Sequence, residues 1–213
     1  MLQVKIVPVT AFAQNCSIVW DSETKDAILI DAGGDAAKLR QEVEALGLKV
    51  KALWLTHGHL DHAGAVGELA RIWGIPVIGP HKEDQFWLDM IQEVSQRYGF
   101  PIPELVHVNQ WLEGGEVLAL GEHQFEVRFA PGHTPGHVMF YNQQHALLWT
   151  GDVLFKGSIG RTDFPKGNHQ QLLDSIQREC FSLPDDTQFI SGHGPMSSIG
   201  SVSYTHLTLP TIY

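Results

Sequence analysis

Apolar residues fall in short blocks along most of the chain, and the period of the blocks changes from one stretch to the next. Residues 3–7, 16–20 and 27–31 are close-set apolar runs rich in β-formers, which predicts three strands joined by short turns. Residues 36–46 place Ala36, Leu39, Val43 and Leu46 on one face, a helical spacing, and Gly47 follows where a helix commonly stops. A mostly apolar strand is predicted over 50–56, a helix over 63–73 and a short buried strand over 75–79. The pattern predicts one helix over 83–98, ended by Gly99, Pro101 and Pro103. Four short strands are then predicted over 117–120, 124–130, 138–142 and 146–150, a helix over 170–180 and a last strand over 188–191. Strands thus occur both in hairpin-like runs and in alternation with helices. That order predicts an α/β fold of two mixed sheets with helices packed outside, not a doubly wound sheet.

The length of 213 residues fits one domain. A stretch beginning at Val202 and running through His206 to Thr211 resembles one reading frame of a transposon-derived adapter used in preparing DNA sequencing libraries. Residues 202–213 are therefore read as a non-native tail, and residues 1–201 as the single domain. Fourteen basic against 24 acidic residues leave a net charge of −10, which argues against binding nucleic acid or an anionic membrane. The six tryptophans, Trp54, Trp73, Trp87, Trp111 and Trp149 among them, read as core and pocket walls, with no basic interleaving that would suggest RNA. No apolar run reaches the roughly 18 residues a bilayer span requires, and the first residues do not read as a signal peptide. Cys16 and Cys180 are expected to be buried free thiols, which suits a cytoplasmic protein. A monomer is expected.

Twelve histidines are well above ordinary usage, and they cluster. Thr56-His57-Gly58-His59-Leu60-Asp61-His62 sets three imidazoles and a carboxylate within six residues at the end of a predicted strand. Imidazole nitrogen and carboxylate oxygen suit zinc and similar borderline metals. Further donors follow the ends of later strands, each beside a glycine: Gly132-His133-Thr134-Pro135-Gly136-His137, Gly151-Asp152 and Gly192-His193-Gly194-Pro195. A glycine there lets the backbone turn tightly and bring the next side chain to the sheet edge. His137 is either a partner orienting a ligand or a hydrogen-bonded core histidine. His81 and His107 read as structural, and His123, His145 and His169 as solvated turn residues.

Taken in this order, THxHxDH, GHTPGH, GD and GHGP resemble the metallo-β-lactamase-fold hydrolases over essentially residues 3–200. The resemblance implies an αβ/βα four-layer sandwich and two divalent metal ions, zinc first, with iron or manganese as alternatives. It places one ion on His57, His59 and His133 and the other on Asp61, His62 and His193, with Asp152 bridging. Asp61 and Asp152 are then the catalytic carboxylates, acting with a metal-bound hydroxide, and their charges and the hydroxide's offset three of the four positive charges. The segment from Gly151 through Phe155, Gly160 and Arg161 to Pro165 is similar to the glyoxalase II branch. That branch hydrolyses S-acylglutathione thioesters such as S-D-lactoylglutathione, the adduct of methylglyoxal detoxification. Arg161 stands where longer members carry a glutathione-binding lysine, and is expected to contact the substrate. The Gly192-His193-Gly194-Pro195-Met196 ending is similar to the short, single-domain members of the branch, and the C-terminal helical region added in longer members has no room in this chain, which implies a less tightly held peptide and broader specificity. The alternatives are an iron-dependent glutathione persulfide dioxygenase on His57, His133 and Asp152, and a broad thioesterase or lactonase.

Overall fold

The computed structural model describes residues 1–203; His206 and the rest of the tail lie outside the described residues. The first sheet contains β1 (Leu2–Val9), β2 (Gln14–Asp21), β3 (Asp26–Ile30), β4 (Lys49–Trp54) and β5 (Val77–Ile78), hydrogen-bonded in chain order. Its first three strands are antiparallel, and β3, β4 and β5 run parallel. The parallel pairs need crossover segments: α1 (Ala36–Ala45) before β4, then α2 (Leu60–Ala63) and α3 (Val66–Trp73) before β5. Two more helices, α4 (Gln85–Asp89) and α5 (Ile91–Tyr98), lead towards the second sheet.

That sheet begins as an antiparallel meander of β6 (Val117–Leu120), β7 (His123–Phe129), β8 (Val138–Asn142) and β9 (Leu147–Gly151). A two-stranded ribbon follows, β10 (Leu154–Phe155) and β11 (Ser158–Ile159), and then α6 (His169–Ser175), which continues as a π-helical turn over Ile176–Cys180. Next, β12 (Gln188–Ser191) joins β9 in parallel and β13 (Ser197–Ser198) pairs on its far side. The described chain ends in α7 (Ile199–Ser203), where Val202 is buried.

Strand side chains alternate between the two faces of a sheet, so a strand covered on both faces is apolar throughout. Ile28, Ile30 and Trp54 point between the sheets, where they meet Phe125, Phe140, Trp149 and Ile190. Trp54 stands edge-on to Phe125 with ring centres 5.1 Å apart. The alternate residues Ile18, Leu29 and Leu53 face outward under Leu39 and Val43 of α1 and Leu69 of α3. On the other side Met139, Tyr141, Leu148 and Phe189 face outward under Leu172, Ile176 and Cys180. The result is a four-layer αβ/βα sandwich. Cys16 and Cys180 are free and buried in opposite outer layers.

Three predicted elements change on folding. The helix predicted over 83–98 is a 3₁₀ turn, α4 and α5, with a bend at Met90. Its buried positions Asp84, Trp87, Leu88, Ile91 and Ser95 keep a helical spacing, which is why the pattern reads as continuous. The helix predicted over 63–73 breaks at Gly64, where a Cβ would come within 2.5 Å of the Gly33 carbonyl oxygen. The strand predicted to start at Ala146 begins one residue later, because Ala146 takes a left-handed conformation that closes a 3₁₀ turn. His123 is a correction of another kind. It is buried, not solvated, with Nε2 2.9 Å from Asp21, a pairing across 102 residues that local pattern does not reveal.

Candidate metal centre

Four loops leave the C-terminal ends of β4, β7, β9 and β12 and bring their polar residues together. Glycine is required at two of these turns. Gly151 has φ 49°, and a Cβ there would lie 2.6 Å from His137 Nε2 and from Thr56 Oγ1. A Cβ on Gly192 would lie 2.1 Å from Asp152 Oδ1. Each therefore keeps clear the space its neighbours need.

The seven sequence-predicted donors converge as two triads around one carboxylate. His59 Nδ1 lies 3.1 Å from His57 Nε2 and 3.0 Å from His133 Nε2. In the second triad His193 Nε2 is 3.0 Å and His62 Nε2 3.8 Å from Asp61 Oδ2. Asp152 sits between them, with Oδ1 3.3 Å from His62 Nε2 and Oδ2 3.6 Å from His133 Nε2 and 3.7 Å from His193 Nε2.

The outer ring nitrogens explain which lone pairs face inward. Thr56 Oγ1 donates to Asp31 at 2.6 Å, so it accepts from His57 Nδ1 at 3.0 Å and leaves His57 Nε2 unprotonated. Asp31 also accepts from His62 Nδ1 at 2.8 Å. The Arg161 carbonyl accepts from His133 Nδ1 at 2.7 Å, and the Phe12 carbonyl from His193 Nδ1 at 3.2 Å. His137 joins the two parts: its Nε2 accepts from the Asp152 amide at 3.1 Å, and its ring stacks on His57 at 4.7 Å.

Two buried carboxylates absent from the sequence expectations support the loops. Asp31 closes β3 with φ 56°, and besides Thr56 and His62 it accepts from the Thr56 amide at 2.8 Å. Asp84 accepts from the Gly58 amide at 2.9 Å, from Thr134 Oγ1 at 2.7 Å and from the Gly136 amide, tying the first histidine loop to the GHTPGH loop. An aspartate ending the apolar run at Asp31 was a visible signal; at Asp84, in a polar stretch, none was.

Charge is divided unequally. Burial, reinforced by the other imidazoles, keeps His57 well below its ordinary pKa and brings His59 down to about 3. Burial lowers His133 as well, against the opposing pull of Asp152. Burial also penalises charge on His62, but Asp152, Asp61 and Asp31 outweigh it and hold the imidazole well above its ordinary value. For His193 too the carboxylates outweigh burial, and the pKa is raised. Asp61 and Asp152 are held low despite burial, by His62 and His193.

The donor set fits metal. About 3.3 Å is the spacing expected between two nitrogens sharing a tetrahedral zinc at 2.0–2.1 Å, close to the distances in the first triad. His62 Nε2 and Asp152 Oδ1 are buried, face each other and have no hydrogen-bond partner. Atoms left unpaired in that way call for an ion or a water.

The sequence matches the Metallo-beta-lactamase superfamily over residues 9–193. The chain belongs to this superfamily. It is 44% identical over 200 residues to the hydroxyacylglutathione hydrolase GloC of Haemophilus influenzae, covering 93% of this chain and 94% of that protein. Among solved structures, the B3 metallo-beta-lactamase BLEG-1 superposes with a TM-score of 0.88 at 36% identity, over 98% of this chain and 99% of that one. TTHA1623 in a di-iron-bound form superposes with a TM-score of 0.85 at 34% identity, over 95% and 98%. Superfamily membership and the two donor sets together imply a site for two divalent ions.

The metallo-beta-lactamase centre opens into a cavity of about 490 Å³. His59, Asp61, His133, Asp152 and His193 form its floor, and Trp87, Met90, Ile91, Val94, Phe155 and Phe164 line its walls. Arg161 lines it too, but its guanidinium is held by Asp163 at 2.7 and 2.6 Å and lies 4.0 Å over the Phe164 ring. Of the remaining histidines, His81 bonds Glu113 at 3.1 Å, while His107, His145 and His169 are exposed. Among the described residues no helix is long and apolar enough to cross a membrane.

Proposed function

We propose that this metallo-beta-lactamase-superfamily enzyme hydrolyses S-acylglutathione thioesters, as a glyoxalase II does with S-D-lactoylglutathione. In this reading His57, His59 and His133 hold one divalent ion, Asp61, His62 and His193 hold the second, and Asp152 serves both. When bound, the ions would supply Lewis acidity for the carbonyl oxygen and lower the pKa of a water. The observation that carries the reading is the Asp152 carboxylate set between two donor triads on the floor of a cavity walled mainly by apolar side chains. The 44% identity to a full-length hydroxyacylglutathione hydrolase supports the choice of thioester.

The remaining residues have defined tasks. Asp31, Thr56, Phe12 and the Arg161 carbonyl keep protons on the outer ring nitrogens, so that the inner ones stay available. His137 holds the Asp152 backbone in place. Apolar walls exclude water from the reacting carbonyl. A thiolate is a good leaving group, so no dedicated general acid is required. Arg161 is the proposed contact for a glutathione carboxylate, which would compete with Asp163 for the guanidinium. Two buried free thiols suit a reducing compartment such as the cytosol.

The test is metal content of protein purified without added metal, together with hydrolysis of S-D-lactoylglutathione. Two ions per chain and thiol release at a catalytic rate are expected. Oxygen uptake with glutathione persulfide, in place of thioester hydrolysis, would instead identify an iron-dependent dioxygenase.

A further inference from the structure

Trp87, Met90, Ile91 and Val94 recur at helical spacing on the side of α4 and α5 that lines the cavity. Such a stripe normally faces a protein core; here part of it faces the space over the metal centre. At one corner the Trp87 ring is 4.5 Å and the Phe164 ring 5.2 Å from His59, and the two rings are 5.9 Å from each other. The cations lining the cavity are Arg97, paired with Glu93 at 2.9 Å, and Arg161, paired with Asp163. Glutathione carries charged groups at both ends and gains nothing from an apolar wall. Its carboxylates match the two arginines, which leaves the acyl group to fill the apolar depth.

Resting on the thioesterase reading, we propose that the Trp87–Val94 stripe and Phe164 form the acyl slot, and that it selects apolar acyl groups larger than lactoyl. Lactoyl offers this wall only a methyl, which leaves most of it uncovered. A phenyl or branched alkyl group would cover Trp87, Met90 and Val94 and displace water from them.

The test compares S-D-mandeloylglutathione with S-D-lactoylglutathione on the metal-loaded protein, since the two differ only in phenyl for methyl. The expected kcat/KM ratio favours mandeloyl by about tenfold or more. Val94→Asn should bring the ratio towards one, with metal stoichiometry and melting temperature confirming an intact protein. A binding measurement accompanies the kinetics: S-benzylglutathione should quench tryptophan fluorescence at about tenfold lower concentration than S-methylglutathione. Equal or faster turnover of lactoyl, with equal binding of the two thioethers, overturns the acyl slot and leaves the thioesterase reading standing. Tighter S-benzyl binding without turnover of either thioester supports the slot and overturns the thioesterase reading.

Discussion

The two donor triads sit side by side on one floor, yet they are built differently. The first is all imidazole, and His57, His59 and His133 are 0%, 8% and 2% exposed. The second mixes a carboxylate with two imidazoles, and the side chains of Asp61 and His193 are 21% and 28% exposed. Burial among like groups keeps the first triad neutral, with its lone pairs already available. Carboxylates around the second favour protons on His62 and His193, which an incoming ion must displace. Neighbouring sites formed by the same four loops are thus expected to differ in how firmly they hold metal.

Asp152→Asn breaks the comparison most severely, because Asp152 is the one group both triads share. Partners that only orient ligands are worth about tenfold to a hundredfold, so loss of a shared charged ligand should lower kcat/KM by more than that. Metal stoichiometry and a pH–rate profile beside wild type check it; two ions and an unshifted profile would mean that Asp152 does not bridge.

His59→Ala and His193→Ala separate the halves. The first variant should lose the more firmly held ion. The second should keep it and lose only its neighbour, with a smaller but still large fall in activity. Metal analysis of both variants after identical dialysis tells them apart, and equal losses from both would show that the sites do not fill independently.

Lowering the pH should separate the triads without mutation. Raised imidazoles take up protons at higher pH than ordinary histidine, whereas His59, brought down to about 3, does so only in strong acid. Ion content should therefore fall from two towards one as the pH is lowered, with the second triad emptying first. Simultaneous loss of both ions would contradict the asymmetry.

The smallest effect is expected at Asp84→Asn, which removes a support common to both. Asp84 accepts from three donors, and an amide has one acceptor oxygen, so about 1–3 kcal/mol of stability should be lost. Burial pushes the Asp84 carboxyl up to about 6, although its three donors pull the other way. A carboxyl raised on folding stabilises most below its unfolded value of about 4, and its contribution declines as pH rises through about 6. Melting temperatures across that range should show this slope in wild type and lose it in Asp84→Asn.

Local pattern made the longer strands legible, most plainly β3, β8 and β9, which are covered on both faces and mostly apolar, and it missed the two-residue strands β10, β11 and β13. It was weaker where a helix had to bend. The stripe from Asp84 to Ser95 has a helix's period, and nothing local marks Met90 as the place where α4 gives way to α5. The seven candidate donors stood out because each lies at a strand end beside other ligand-type residues or a glycine. Asp84 was not, because it is one acid in a polar stretch and acquires its role only when two loops distant in sequence reach it.

From the sequence alone came the two mixed sheets and the candidate donors, read from period and residue type within short windows, while the four-layer sandwich and the grouping of the donors were implied by the resemblance to a known family. Tertiary structure decided which donor stands opposite which, which ring nitrogen faces inward and how charge divides between the triads. It also decided that His123 is buried against Asp21. The physical reason is common to all of these. A lone pair's direction and an imidazole's pKa depend on atoms within a few ångströms, and here those atoms come from segments up to 181 residues apart, as in the pairing of His193 with the Phe12 carbonyl.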